Sequence, residues 1–177
     1  MRGTERDEQF TEFATAQRSA LVRMARLLSA GDDAWAEDIV QTTLTKLYVA
    51  WPRVRRAGNP VGYARTTLTH AFVDDRRRGH RQRETATDRL PERPDHGAEP
   101  EGGVDRWVLA ALEGLPPRQR AVVVLRHWLD LDVAETARIL GCTDGTVKSQ
   151  NAKALAHLRA SLEPSLEAHL DLTLEEC

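Results

Sequence analysis

Asp132-Val-Ala-Glu-Thr-Ala-Arg-Ile-Leu-Gly-Cys-Thr-Asp-Gly-Thr-Val-Lys-Ser-Gln-Asn-Ala-Lys-Ala-Leu-Ala-His-Leu-Arg159 reads as two helices separated by a tight turn. Asp132 is placed to cap the first helix, and Glu135, three residues on, has the position that completes a capping box. Val133, Ala137 and Leu140 share one face of that helix. Gly141 supplies the permissive backbone where the chain turns, and Thr143 or Asp144 can cap the next helix. This second helix is expected to run to about Arg159, with Val147, Ala154, Leu155 and Leu158 inward. Thr146, Lys148, Ser149, Gln150, Asn151 and Lys153 begin its outer face. A short helix, a glycine-containing turn and a longer helix with early hydrogen-bonding side chains is the pattern of a helix-turn-helix.

Those residue types suit DNA for physical reasons. A helix fits the major groove, and the first turns of a recognition helix come closest to the base edges. Gln150 and Asn151 carry paired donors and acceptors that match adenine, while Lys148 and Lys153 match phosphate or guanine. Thr146 and Ser149 suit phosphate or either kind of base. The blander reading is a helical hairpin with a wet polar face. Such a face more usually carries Glu and Lys, so the uncharged readers favour DNA.

Working outward, 177 residues allow one mid-sized domain or two small ones. The chain is 29% charged and only 5% aromatic, which suits a helical protein with modest cores. No run has the length of a membrane span and the first residues lack the apolar core of a signal peptide, so no membrane insertion and a cytoplasmic location are expected. Cys142 and Cys177 make no disulfide framework and belong to no metal-ligand cluster.

A net charge of −2 conceals a polarised chain. Nine arginines between Arg53 and Arg83 face only Asp74 and Asp75. Six acids from Glu84 to Glu101 face Arg89 and Arg93, and five acids follow from Glu163 with no Lys or Arg. A phosphate backbone responds to local charge, and the arginine cluster exceeds what capping a helix C-terminus needs.

In chain order, Phe10, Phe13, Leu21, Met24 and Leu28 predict a helix over about Asp7–Ser29. Gly31-Asp-Asp33 breaks it and offers a cap. A second helix is expected over about Ala34–Trp51, with Ala36, Val40, Thr43, Leu44, Leu47 and Trp51 on one side, and Asp38, Gln41, Thr45 and Lys46 on the other. Pro52 is expected to end it, and Arg53–Asn59 to form a basic loop. Asn59-Pro60 starts a third helix running to about Arg78, with Val61, Ala64, Leu68, Ala71 and Phe72 inward. Glu84–Gly103, rich in Pro, Gly and acids, is the expected linker.

The second unit is expected to start near Val104 with Trp107, Val108 and Leu112, followed by a helix from Arg118 through Trp128. Val122, Val123, Leu125 and Trp128 should face its core; Val122-Val-Val124 is read as a buried helical turn rather than a strand. Pro164 should interrupt the last helix, leaving an acidic tail whose Leu166, Leu170 and Leu174 would cover the adjacent domain or, as the sharper alternative, dock a protein partner. The fold class is therefore all-α: two small helical domains, 7–83 and 104–163, a flexible acidic linker at 84–103 and a tail at 164–177.

In this order and spacing the motifs resemble the extracytoplasmic-function group of bacterial RNA polymerase sigma factors, most closely the sigma-E-like actinobacterial subgroup. The resemblance spans Phe10 to about Leu162. Ala36-Glu-Asp-Ile-Val-Gln41 with Trp51 is similar to the segment that docks on the β′ clamp helices, which implies Asp38, Gln41, Leu44, Thr45 and Trp51 as core-polymerase contacts. Asn59-Pro-Val-Gly-Tyr-Ala-Arg through Asp74-Asp-Arg-Arg-Arg is similar to the segment that melts and reads the −10 element. It implies Arg53, Arg55, Arg56, Asn59, Arg65, His70, Arg76, Arg77 and Arg78 at that element. Leu115-Pro-Pro-Arg-Gln-Arg-Ala-Val-Val-Val-Leu-Arg and Gly141–Gln150 resemble the reader of the −35 element, which implies Arg118, Arg120, Thr143, Thr146, Lys148, Ser149, Gln150, Asn151 and Lys153. Implied partners are the RNA polymerase core (β′ clamp helices and β subunit), promoter DNA and, as often in this group, an anti-sigma factor.

Two departures stand out. Many members carry Arg-Asn where this chain has Thr69-His70, and Arg-Leu-His-Arg where it has Gln150-Asn-Ala-Lys153. Two rival readings are weaker. A dimeric operator-binding regulator would share the helix-turn-helix, but the N-terminal unit lacks the βα alternation of a receiver domain. An enzyme would need a reactive constellation, and none is spaced for one. Asp74 and Asp75 are adjacent and point about 100° apart on a helix, and no phosphate-cradling glycine loop or cofactor motif is present.

Overall fold

The computed structural model describes residues 2–85 and 106–175, with side chains over residues 5–75 and 106–162. Every described element is helical. The chain divides into two compact units, Met1–Val104 and Asp105–Cys177. The linker expected at 84–103 lies almost wholly outside the described residues.

The first unit is three helices: α1 (Arg2–Ser29), α2 (Asp33–Arg56) and α3 (Pro60–Thr85). α1 starts five residues before the expected Asp7. Its end is set by Ala30 and Gly31, both at positive φ, after which Asp32 caps α2 by accepting the Trp35 N–H at 2.9 Å. Leu21, Met24, Leu28, Val40, Leu47, Leu68 and Phe72 fill the core. The aromatics Phe10 and Phe13 close one end against Trp51, which is only 3% exposed. Arg26 is also buried; its guanidinium forks onto Asp33, with Nε–Oδ1 2.7 Å and Nη2–Oδ2 3.4 Å. Charge counting alone does not find that pair, because it depends on the α1–α2 turn folding back.

Pro52 does not end α2. Proline removes one backbone donor and crowds the carbonyl four residues earlier, but Pro52 itself is exposed while Val54 is fully buried. Burial of Val54 therefore carries the helix one turn further. Arg53, Arg55 and Arg56 are its last turn rather than a loop, where they complement the helix dipole. The loop shrinks to Ala57-Gly58-Asn59, with Gly58 at φ +72°. Asn59 then caps α3 by accepting the Gly62 N–H at 2.8 Å. Gly62 permits that approach, since a Cβ there would sit 2.5 Å from Asn59 Nδ2. α3 continues past the expected end at Arg78 to Thr85.

The second unit contains α4 (Arg106–Glu113), α5 (Pro117–Val123), a π-helical turn (Val124–Trp128), α6 (Val133–Leu140) and α7 (Asp144–Glu175). The single helix expected over Arg118–Trp128 is thus split. Leu129 N–H bonds to Val124 O, five residues back, at 3.1 Å, and this extra residue in the turn offsets the helical register after Leu125. Trp128, expected in the core three residues after buried Leu125, is instead 49% exposed. Trp107 is 53% exposed, while Leu109, Ala111 and Leu112 are the buried residues of α4.

Pro164 does not interrupt α7, which continues to Glu175. Ala160, whose carbonyl the missing N–H would have met, is exposed, so water can satisfy it. The leucines of the acidic tail lie outside the described side chains.

Gly141 sits at φ 60°, ψ 45°, where no Cβ clash with neighbours arises but an L-side chain is strained. Gly141→Ala is expected to destabilise the second unit by about 1–2 kcal/mol, from backbone strain alone. Urea unfolding of the variant beside the parent chain checks this, with Gly141→Asn falling between them.

Candidate nucleic-acid interface

The turn between α6 and α7 is built from local hydrogen bonds. Asp132 accepts the Glu135 N–H at 2.7 Å, and Cys142 N–H closes α6 onto Ala137 O at 3.0 Å. Thr143 caps α7, accepting the Thr146 N–H on its hydroxyl at 3.2 Å and the Val147 N–H on its carbonyl at 3.1 Å. Val147 and Ala154 are fully buried against α5 and α6, so the opposite side of α7 is presented outward. Lys148, Ser149 and Lys153 are exposed there, with Ala152 between the lysines and Ala156 a turn beyond. Small residues between the lysines let a flat base-pair edge or phosphate approach the helix closely.

The remaining expected −35 residues divide. Thr143 and Thr146 share a hydroxyl–hydroxyl bond of 2.9 Å, and Ser149 donates to Thr146 O at 3.0 Å, so these side chains are ordered around the helix start. Gln150 is half-buried. Asn151 does not belong to the outer face. It lies four residues after Val147 and three before Ala154, on the inward strip, and its Oδ1 is 3.0 Å from His127 Nε2. Arg118 is exposed at the start of α5.

Arg120, expected at the −35 element, is turned into the core rather than presented outward. It is 4% exposed, and its Nη2 donates to Glu113 O and Leu115 O, each at 3.2 Å. The end of α4 leaves carbonyls without intrahelical donors, and Arg120 satisfies them from the next helix. Arg120→Ala is expected to cost about 1.5–3 kcal/mol of stability. A thermal melt checks this; the base preference of whatever protein remains folded should be unchanged.

In the first unit Arg53, Arg55, Arg56 and His70 are exposed, and Arg65 is half-buried. Arg55 donates to Gln9 of α1, while Asn59 is occupied in capping. Arg76, Arg77 and Arg78 lie on α3 with side chains outside the described set. Thr69 is fully buried and donates to Arg65 O at 3.0 Å, so of the Thr69-His70 pair only His70 faces solvent. Asp75 accepts the Trp35 indole N–H at 2.8 Å and so pins α3 to α2.

On α2, Asp38, Gln41 and Thr45 form one exposed strip at spacings of three and four. Val49, 75% exposed, continues it by another turn. Residue type hides Val49, because an apolar side chain reads as core although its spacing from Thr45 places it on the outer strip. Leu44 is half-buried beside the strip. Trp51 belongs to the core with Phe10 and Phe13 and offers no surface for a partner. Among the described residues no group of three His, Cys, Asp or Glu side chains converges as a metal site, and no helix is long and apolar enough to cross a membrane.

Two family descriptions match the two units. Residues 13–82 match sigma-70 region 2, and residues 105–158 match sigma-70 region 4. The RNA polymerase sigma-E factor of Streptomyces coelicolor is 35% identical over 154 residues, 87% of this chain and 86% of the relative. The chain belongs to the sigma-70 family.

Other relatives place this sigma factor in the extracytoplasmic-function group. The sigma-E factor of Streptomyces avermitilis is 34% identical over 88% of this chain and 86% of its own length. The ECF RNA polymerase sigma factor ShbA of Streptomyces griseus is 30% identical over 73% of this chain and 72% of its own. Among solved structures, the sigma factor RpoE of Bartonella quintana, in complex with the anti-sigma factor NepR, matches with a TM-score of 0.69. It is 25% identical, and the match covers 88% of this chain and 98% of that one. The protein is a sigma factor that works with core RNA polymerase and directs promoter-specific transcription initiation.

Proposed function

We propose how this sigma factor divides its work among its residues. The strip Asp38, Gln41, Thr45 and Val49, flanked by Leu44, docks on the β′ clamp helices. The basic end of α2 and the outer face of α3, with Arg53, Arg55, Arg56, Arg65, His70 and the Arg76–Arg78 run, hold the −10 element. Capturing an unstacked base needs cations nearby to offset the loss of stacking, which this surface supplies. α7, through Lys148, Ser149 and Lys153 with Arg118 alongside, reads the −35 element. Segment 84–103 sets the reach between the two readers and follows an electropositive path on the polymerase, including its β subunit.

Each reader is small, and splitting recognition over two of them makes each weak alone; the polymerase supplies the effective concentration for joint binding. The role is binding rather than catalysis, it is carried out in the cytoplasm, and it needs no cofactor. The solved neighbour is a complex with an anti-sigma factor, and a protein of that class is a candidate inhibitory partner here too.

The observation that carries this reading is the exposed α2 strip, polar at one end and apolar at Val49, on a helix whose other side packs into the core. The test is retention of core polymerase on the immobilised chain. Gln41→Arg with Thr45→Arg should abolish retention while leaving the melting curve in place. Undiminished retention by a folded double variant would contradict the docking assignment.

A further inference from the structure

Asn151 sits half-buried at the edge of the inward side of α7. The strip Val147–Asn151–Ala154 faces the α5 side of the unit, and its two flanking members are fully buried. Its partner across the gap is the exposed His127, whose Nε2 lies 3.0 Å from Asn151 Oδ1. His127 reaches that point from the π-helical turn.

The turn is fixed by several independent contacts. Leu129 N–H bonds five residues back and Leu131 N–H bonds to Leu125 O, six back, at 3.1 Å. Arg126 donates to the Leu131 carbonyl, and Asp130 holds φ 52°, a conformation that non-glycine residues rarely adopt. Single π turns inside α-helices recur at functional positions, where they re-aim side chains. Here the side chain re-aimed onto the recognition helix is His127.

A hydrogen bond is directional and an apolar contact is not. The packing of Val147 and Ala154 limits how far α7 can roll, and an imidazole–amide bond, which weakens steeply with misalignment, narrows the remaining freedom. The reading face of α7 lies opposite, about 5–6 Å from the helix axis, so a roll of about 10° moves Lys148, Ser149 and Lys153 by roughly 1 Å. Hydrogen bonds to a base edge tolerate less than that.

We propose that the His127–Asn151 bond is a positioning contact for promoter recognition: it sets the axial rotation of α7, and with it the bases that Lys148, Ser149 and Lys153 reach. The proposal rests on the reading of α7 as the −35 reader. His127 and Asn151 touch no base themselves.

The test uses the full chain with core polymerase on a template pool that keeps one −10 element and randomises the −35 region. His127→Leu/Asn151→Leu replaces the polar pair by an apolar one. It should melt no earlier than the parent, yet shift relative use of the preferred −35 bases by at least about fivefold. His127→Leu alone, at an exposed position that does not threaten the core, should shift the same positions. His127→Gln, which keeps an N–H donor, should restore most of the parental preference. Folded Leu variants that select the parental −35 bases in parental proportions overturn the proposal, as does a His127→Gln variant no closer to the parent than His127→Leu. If the parent itself shows no −35 preference while still starting at the −10 element, the assignment of α7 fails instead.

Discussion

Trp51→Ala is expected to destabilise the first unit by about 3–5 kcal/mol, the range for removing a large aromatic from a core. Trp51 is the meeting point of α1 and α2. Phe10 meets it edge-on at 5.4 Å between ring centres and Phe13 at 5.0 Å, while Phe10 in turn contacts Tyr48 at 5.2 Å. Each such ring pair adds about 0.5–1.5 kcal/mol beyond area burial, so the loss spreads through the cluster. At roughly 4–8 °C per kcal/mol for a domain of this size, the first transition should fall by at least about 12 °C. Trp51→Phe should recover a large share. Differential scanning calorimetry decides between core and interface: an interface tryptophan would leave the melt in place and weaken only polymerase capture.

The second large effect concerns α7. Lys148→Ala/Lys153→Ala is expected to lower transcription from a −35-dependent promoter by about 10- to 100-fold, at roughly 1.4 kcal/mol or more for the pair. The slope of log activity against log salt should flatten by up to about two, one for each cation withdrawn from the DNA surface. Replacing both by arginine keeps the charge and should keep the slope. An unchanged slope in a folded alanine double variant would remove α7 from the DNA interface. Arg120→Ala makes the opposite comparison, since it weakens the fold and leaves the salt response of folded protein alone.

The helix-turn-helix is legible in the sequence because its determinants are local. Asp132, Gly141 and Thr143 each act within four residues, so residue type and spacing suffice to place them. The α1–α2 break at Asp32 and the start of α3 at Asn59 are legible for the same reason. The features that escape depend on tertiary contact. Pro52 reads as a stop until the burial of Val54 is known, and with it the three arginines move from a loop onto a helix. The π turn is hidden because Ala121 through Leu125 are all buried, which erases the periodicity that would reveal the extra residue.

Site residues follow the same division. Lys148, Ser149 and Lys153 lie on the face their spacing implies. Arginine reads by composition as a surface cation, yet Arg120 and Arg26 are buried, one on backbone carbonyls and one on Asp33. Asn151 reads as a base contact by residue type, although its register with Val147 and Ala154 puts it on the inward strip. Helical register outweighs side-chain chemistry at such positions, because a side chain on the packed face meets its own domain first.

The most direct measurement of the central claim is transcription of a genomic fragment library by core RNA polymerase, with and without this chain. New start sites sharing two upstream elements at a fixed separation are the expected result. They should vanish with Gln41→Arg/Thr45→Arg and weaken with Lys148→Ala/Lys153→Ala. Unchanged start sites, together with dimeric binding of the free chain to a palindrome, would contradict the account.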